Sequence, residues 1–194
     1  MTIGVIGAMQ MEVDDLKAQM TDTQTEVYSG GAANCGLGMV FAAICAEAMI
    51  LKYDGDMIVN IGVAGTLTKD LNVLDVAVAT NVLQHDMDTS PIGDPKGLLS
   101  GINMILLPAD TKMVELMCSC LADRNIHYKK GNIATGDQFI ATKEQKDYIS
   151  NTFDAIAAEM EGGSIGHVCY VNKVPFAILR SISDCTGKHC ILQG

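Results

Sequence analysis

Four short runs of the chain are almost wholly apolar and rich in β-branched residues. They are "TIGVIG" (Thr2–Gly7), "MIVNIG" (Met57–Gly62), "DVAVAT" (Asp75–Thr80) and "FAILRSIS" (Phe176–Ser183). A strand with one wet face alternates apolar and polar residues, whereas these runs barely alternate, so both faces must be covered by protein. Segments of helical period lie between them: "MEVDDLKAQM", with Met11, Leu16 and Met20 on one side, then "TKMVELMCSCLADRN", "KEQKDYISN" and "EGGSIGHVCYVNK". "LGMVFAAICAEAMILKY" (Leu37–Tyr53) reads as a long buried helix. "NMILLP" (Asn103–Pro108), "HYKKGNIATG" (His127–Gly136) and "FDAIAAEM" supply further strands. Buried strands interleaved with helices predict an α/β fold around a largely buried sheet. With no repeat, linker or low-complexity tract, residues 1–194 are expected to form a single domain.

Charge narrows the partners. The chain carries 23 acids against 13 bases, a formal charge of -10. Nucleic acid and anionic membrane both require a basic face, so neither is expected as a partner. The seven cysteines are odd in number and scattered, and none forms C-x-x-C, which argues against a disulfide framework or a metal site. Cys45 and Cys169 sit in apolar helical patterns, where a thiol acts as a small hydrophobe. "MTIGVIGAMQMEV" has no basic stretch before its short apolar run, and with reduced thiols this points to the cytoplasm.

In α/β sheets, ligands gather at the carboxyl ends of strands. Here those ends read "GAMQMEV", "GVAGTL", "GDQFI", "EMEGG" and "RSISD", so acids, glycines and an aromatic are expected along a single edge. Glu159, Glu161, Arg180 and Asp184 would then share one cleft. Taken singly, each candidate has an ordinary structural explanation. Glu12 suits the first turn of a helix, Arg180 would neutralise Glu161 in a buried pair, and Asp184 suits a turn or cap. Met160 and Phe139 suit a core, and "GVIGAM" lacks the full G-x-G-x-x-G of a dinucleotide loop.

Together the motifs say more. "IGVIGAMQMEV", "NIGVAGTL", "HDMD", "TGDQFI", "AAEMEGGSIGHVC" and "VPFAILRSISD" stand in the order found in bacterial nucleosidases for 5'-methylthioadenosine and S-adenosylhomocysteine. The chain resembles that family, within the purine nucleoside phosphorylase and uridine phosphorylase superfamily, from Met1 to Asp184 with one interruption. The resemblance implies a central mixed, largely parallel twisted sheet flanked by helices, and hydrolysis of an N-glycosidic bond through a ribosyl cation. It implies no cofactor and no metal. By the same resemblance Asp184 is the acid that protonates purine N7, next to Ser183, and burial would raise its pKa. Glu12 is the base that activates water. Glu161 holds the ribose hydroxyls, with Met160 under the sugar and Arg180 steadying Glu161. Phe139 stacks on adenine, the Ile140 backbone reads its edge, and Ala64 and Gly65 bring backbone close to sugar and base. Leu37 lines the alkylthio end, and Ile92 matches a position contributed by the second subunit of a homodimer.

A phosphorylase needs Arg and a Gly-rich loop to hold phosphate. Carboxylate Glu12 stands where phosphate would be repelled, so water is the expected nucleophile. The chain also departs from the family. It is shortened near residues 26–35, where "NCGLGMV" replaces S-G-I-G-K with Met39 in place of Lys, and Val63 stands where a small polar residue is common. "DCTGKHCILQG" stops before a terminal helix, which predicts an exposed apolar patch open to self-association. The alternatives are a futalosine-type hydrolase or a phosphorylase of the superfamily, and a catalytically impaired nucleoside-binding remnant.

Overall fold

A computed structural model describes residues 1–9, 18 and 35–184, the last by its backbone alone. In chain order the elements are β1 (Ile3–Ile6), α1 (Met39–Tyr53), β2 (Met57–Asn60), β3 (Val63–Thr66) and β4 (Val76–Gln84). A 3-10 turn (Ser90–Ile92), β5 (Leu107–Pro108), α2 (Thr111–Asp123) and β6 (Tyr128–Thr135) follow. The chain then forms α3 (Lys143–Phe153), β7 (Ala155–Glu159), α4 (Gly162–Asn172) and β8 (Phe176–Asp184). The predicted helix at "MEVDDLKAQM" lies outside the described residues.

The sheet order is β1-β2-β8-β3-β7-β6-β4-β5, and β4 also pairs with β8. Strands β8, β3, β7, β6 and β4 therefore close on themselves as a ring, while β1 and β2 extend it from β8 and β5 from β4. Neighbours are mostly parallel, with antiparallel contacts at β3–β7, β4–β5 and β4–β8. Length and a bulge allow the closure. The nine residues of β4 shift register between Ala79 and Asn81 against β6, and Val76–Val78 pair with Leu179–Ser181 of β8. A bulge bends and twists its strand, which lets one strand serve two neighbours.

Burial follows the strand pattern. All five residues of β7 are buried, as are Ile178 and Ile182 of β8, Ile133 of β6 and Val78 of β4. The helix α4 packs directly on the ring strands β4, β6 and β8. A Cβ on Gly163 would lie 2.8 Å from the carbonyl oxygen of Leu83, so only glycine admits this approach. Local signals set the starts of α2 and α3: Asp110 accepts from the Met113 amide (2.9 Å), and Thr142 with Gln145 forms a capping box on α3.

Four sequence expectations change. The segment "GVAGTL" is a strand of its own, β3, because the chain turns at Ile61–Gly62 and re-enters the ring beside β8. The β4 strand runs on from Thr80 to Gln84, and the expected strand at Asn103–Pro108 reduces to Leu107–Pro108. The helix expected from Leu37 begins at Met39 and is not buried all round. Ala42, Cys45 and Ala46 are buried, while Val40, Phe41, Ile44 and Leu51 lie in solvent at helical spacing. Periodicity reports apolar positions but not what covers them.

Candidate active site

The centre of the site is a buried ion pair built from strands that sequence keeps apart. Glu159 ends β7, and Arg180 projects from the middle of β8 rather than its end; both side chains are 1% exposed. The antiparallel meeting of β3 and β7 carries the end of β7 back alongside the middle of β8, which places the two groups together. Not all candidates, then, come from carboxyl ends on one edge. The Arg180 guanidinium donates from Nε to Glu159 Oε2 (3.2 Å), from Nη2 to Glu159 and to Asn60 Oδ1, and from Nη1 to the Leu179 carbonyl (3.2 Å). A buried ion pair survives desolvation only when its remaining donors and acceptors are met, as they are here.

Glu159 also opens α4. Its Oε2 accepts from the amides of Glu161 (3.0 Å) and Gly162 (2.8 Å), and its Oε1 accepts from Thr135 Oγ1. The Thr135 hydroxyl in turn accepts from the Gly163 amide (2.6 Å). Burial pushes the Glu159 carboxyl up, but Arg180, the Thr135 hydroxyl and the Gly162 amide outweigh it and hold it below the usual carboxylate range. It is a permanent anion at neutral pH.

Glu161, two residues further on at the start of α4, is buried too. Its Oε1 accepts from the Gly38 amide (3.0 Å), and its Oε2 stands 3.9 Å from Arg180 Nη2. Arg180 thus faces Glu161 as expected, but its closer partner is Glu159. Met160 between them is half-buried.

The other candidates divide. Ala64 is buried and Gly65 half-buried at the end of β3; a Cβ added at Gly65 would meet no atom within 4 Å, so its α-carbon faces open space. Gly65 pairs with Asp184 across a register shift that skips Ser183, and a bulge at that point re-aims the end of β8. Phe139 is 72% exposed and so is not a core residue, Ile140 is partly buried against the cluster of Leu83, Ala134, Ile149, Phe153 and Ala155, and Leu37 is 61% exposed. Ile92, in the 3-10 turn, is 82% exposed. Glu12 lies outside the described residues, as does the side chain of Asp184.

Sequence reasoning missed Asn60, Thr135, His85 and Asp137 as participants. His85 is buried at the end of β4, burial lowers its pKa, and its Nε2 meets no hydrogen-bond partner among the described residues. All four lie within the quoted motifs "NIGVAGTL", "HDMD" and "TGDQFI", but the motifs gave none of them a role. Among the described residues no group of three or more His, Cys, Asp or Glu is arranged to hold a metal.

A model of the phosphorylase superfamily matches residues 2–190. This chain belongs to the phosphorylase superfamily. As a superfamily member it is 37% identical to a 5'-methylthioadenosine/S-adenosylhomocysteine nucleosidase of Oceanobacillus iheyensis, over 97% of this chain and 88% of that one. Its fold matches a Helicobacter pylori MTAN mutant crystallised with 5'-methylthioadenosine in the active site: TM-score 0.88 and 33% identity, over 94% of this chain and 85% of that one. A futalosine hydrolase mutant of Helicobacter pylori matches with a TM-score of 0.88 and 32% identity, over 95% and 86% of the two chains. The superfamily's mixed α/β architecture, expected from the motifs, is the one observed here.

Proposed function

We propose that this protein hydrolyses the N-glycosidic bond of 5'-methylthioadenosine and S-adenosylhomocysteine, giving adenine and a 5-thioribose product. The observation that carries the reading is the buried Glu159–Arg180–Glu161 cluster, which draws the "EMEGG" and "RSISD" motifs together in a chain whose relatives bear that nucleosidase name. Glu161, fixed on one side by Gly38 and Arg180, is the acceptor for the ribose hydroxyls, and Met160 packs beneath the sugar. Phe139, already in solvent, is free to stack on the purine, and the Ile140 backbone reads its edge. Ala64 and Gly65 border the sugar, and Leu37 lines the alkylthio end. Asp184, beside Ser183, protonates purine N7, and Glu12 activates water; each contributes about 10²–10⁴-fold.

Water rather than phosphate is the acceptor. The sequence contains two arginines. Arg180 is committed to Glu159 and Asn60, and Arg124 donates to the Cys120 carbonyl at an exposed helix end. That leaves no arginine fork for a phosphate dianion. The decisive experiment is release of free adenine from 5'-methylthioadenosine with and without phosphate. Phosphate-independent release supports the reading, and ribose 1-phosphate formation overturns it. Comparison of kcat/KM on methylthioadenosine and on futalosine separates the nucleosidase from a futalosine-type hydrolase.

The protein acts as a homodimer in the cytoplasm, in methionine salvage. Two features support a second copy as partner: the apolar stripe Val40, Phe41, Ile44 and Leu51 on α1, and the open loop that carries Ile92. Cys35, Cys45, Cys118, Cys120 and Cys169 are free thiols, as a reducing compartment requires. Among the described residues no helix is long and apolar enough to cross a membrane.

A further inference from the structure

The N-terminus of α1 joins two parts of the site that the nucleosidase reading treats separately. Gly38 caps this helix without a side chain, at φ +96°. Two carboxylates from other elements take its first amides: Glu161 accepts from Gly38 N–H (3.0 Å) and Asp137 from Met39 N–H (2.8 Å). Both lie where the helix dipole favours negative charge. Asp137 belongs to the segment after β6 that carries Phe139 and Ile140. The root of that segment is fixed as well: Gly136 N–H reaches the Glu159 carbonyl (3.2 Å), and Asp137 N–H reaches Asp86 Oδ2 (2.8 Å). The fit at Gly38 is tight, since a Cβ there would stand 2.9 Å from Asp137 Oδ1.

We propose that Asp137 is a positioning residue: through the adjacent Gly38 and Met39 amides, it sets the spacing between the purine segment and the ribose carboxylate Glu161. This rests on the nucleosidase reading. A simple helix cap would affect stability and leave ligand discrimination alone. A spacer acts differently, because a nucleoside must engage both ends at once and free adenine only one.

The test measures KM and kcat for 5'-methylthioadenosine and Tm in wild type, Asp137→Ala, Asp137→Asn and Gly38→Ala, and Kd for methylthioadenosine and for adenine by calorimetry with the same substitutions in an Asp184→Asn background, where the nucleoside is not consumed. Loss of one charge-assisted bond should raise KM and nucleoside Kd about tenfold in Asp137→Ala, with kcat and adenine Kd within about threefold. Asparagine keeps an acceptor for Met39 N–H and should restore the nucleoside values to within about threefold of wild type. Gly38→Ala, which crowds Asp137, should reproduce the Asp137→Ala pattern even if Tm falls. Unchanged nucleoside Kd in Asp137→Ala, equal losses for adenine and nucleoside, or failure of Asn to restore binding would overturn the proposal. A wild type that binds methylthioadenosine without releasing adenine overturns the nucleosidase reading alone, because the Kd ratios still judge Asp137. A wild type that binds neither ligand overturns both.

Discussion

Arg180 sits between two glutamates, and its unequal distances to them separate their roles. Glu159 takes the short bonds, caps α4 and is fully enclosed, so it organises the site. Glu161 keeps its second oxygen 3.9 Å from the guanidinium, the looser arrangement that the proposed ribose-binding role would need. Glu161→Gln should therefore weaken nucleoside binding and lower turnover, because an amide offers one acceptor oxygen where the carboxylate offers two. Steady-state kinetics with circular dichroism as the folding control checks this, and unchanged KM and kcat would remove Glu161 from the ribose site. Arg180→Ala should do more than mimic that loss, since it strips Glu159 of its partner and destabilises the protein as a whole. Asp184→Asn should lower single-turnover adenine release by about 10²–10⁴-fold while adenine still binds. Near-normal release would exclude Asp184 as the acid.

Helix α1 carries the element-scale argument. One side packs on α4, where Asn172 Nδ2 donates to Glu47 (2.7 Å), and the outer side presents Val40, Phe41, Ile44 and Leu51 to solvent. A stripe of large apolar side chains at helical spacing is a face awaiting cover. If a second copy covers it, Ile44→Glu should shift the protein from dimer to monomer in light scattering at micromolar concentration, with Tm lowered in step. A monomeric wild type with full activity would sink the dimer. This helix also shows where sequence stops speaking. Its existence, like that of β1, β2, β6, β7 and β8, was legible because apolar runs of strand length and helical period differ in kind. Its environment was not, because a residue reads as apolar whether its own chain or another covers it. Strand β3 was missed for a related reason: four residues, "VAGT", two of them small, carry too little pattern to separate from the preceding strand. At the site, Glu161 and Arg180 were visible through their motifs. Asp137 and Asn60 act through hydrogen bonds to partners distant in sequence, Met39 and Arg180, which no local spacing encodes.

For the whole molecule, Glu159 is the described carboxylate whose protonation should loosen the most elements. It ties β6 through Thr135, α4 through the Glu161 and Gly162 amides, and β8 through Arg180, which itself reaches β2 at Asn60. Asp70, Asp75 and Asp88 are also shifted down, by Lys129, by the Asn72 amide and by Ser90 respectively. Those groups lie at the surface, where such pairs contribute little. The sign follows from linkage. The folded-state pKa of Glu159 is depressed below its unfolded value of about 4.3, so its contribution is fully present above that pH. It is lost as pH falls through the folded value. Glu159→Gln leaves Arg180 without its main counter-charge and should cost about 3–5 kcal/mol at pH 7, a Tm lower by roughly 10 °C. The same substitution removes the titrating group, so below about pH 5 the variant's Tm should fall less steeply than that of wild type. Thermal melts of both proteins from pH 7 to pH 3 measure the two slopes. Converging curves place the acid sensitivity of the fold in this one buried carboxylate. Parallel curves would assign it to the many surface acids of a chain with net charge -10 and would refute a linchpin role for Glu159.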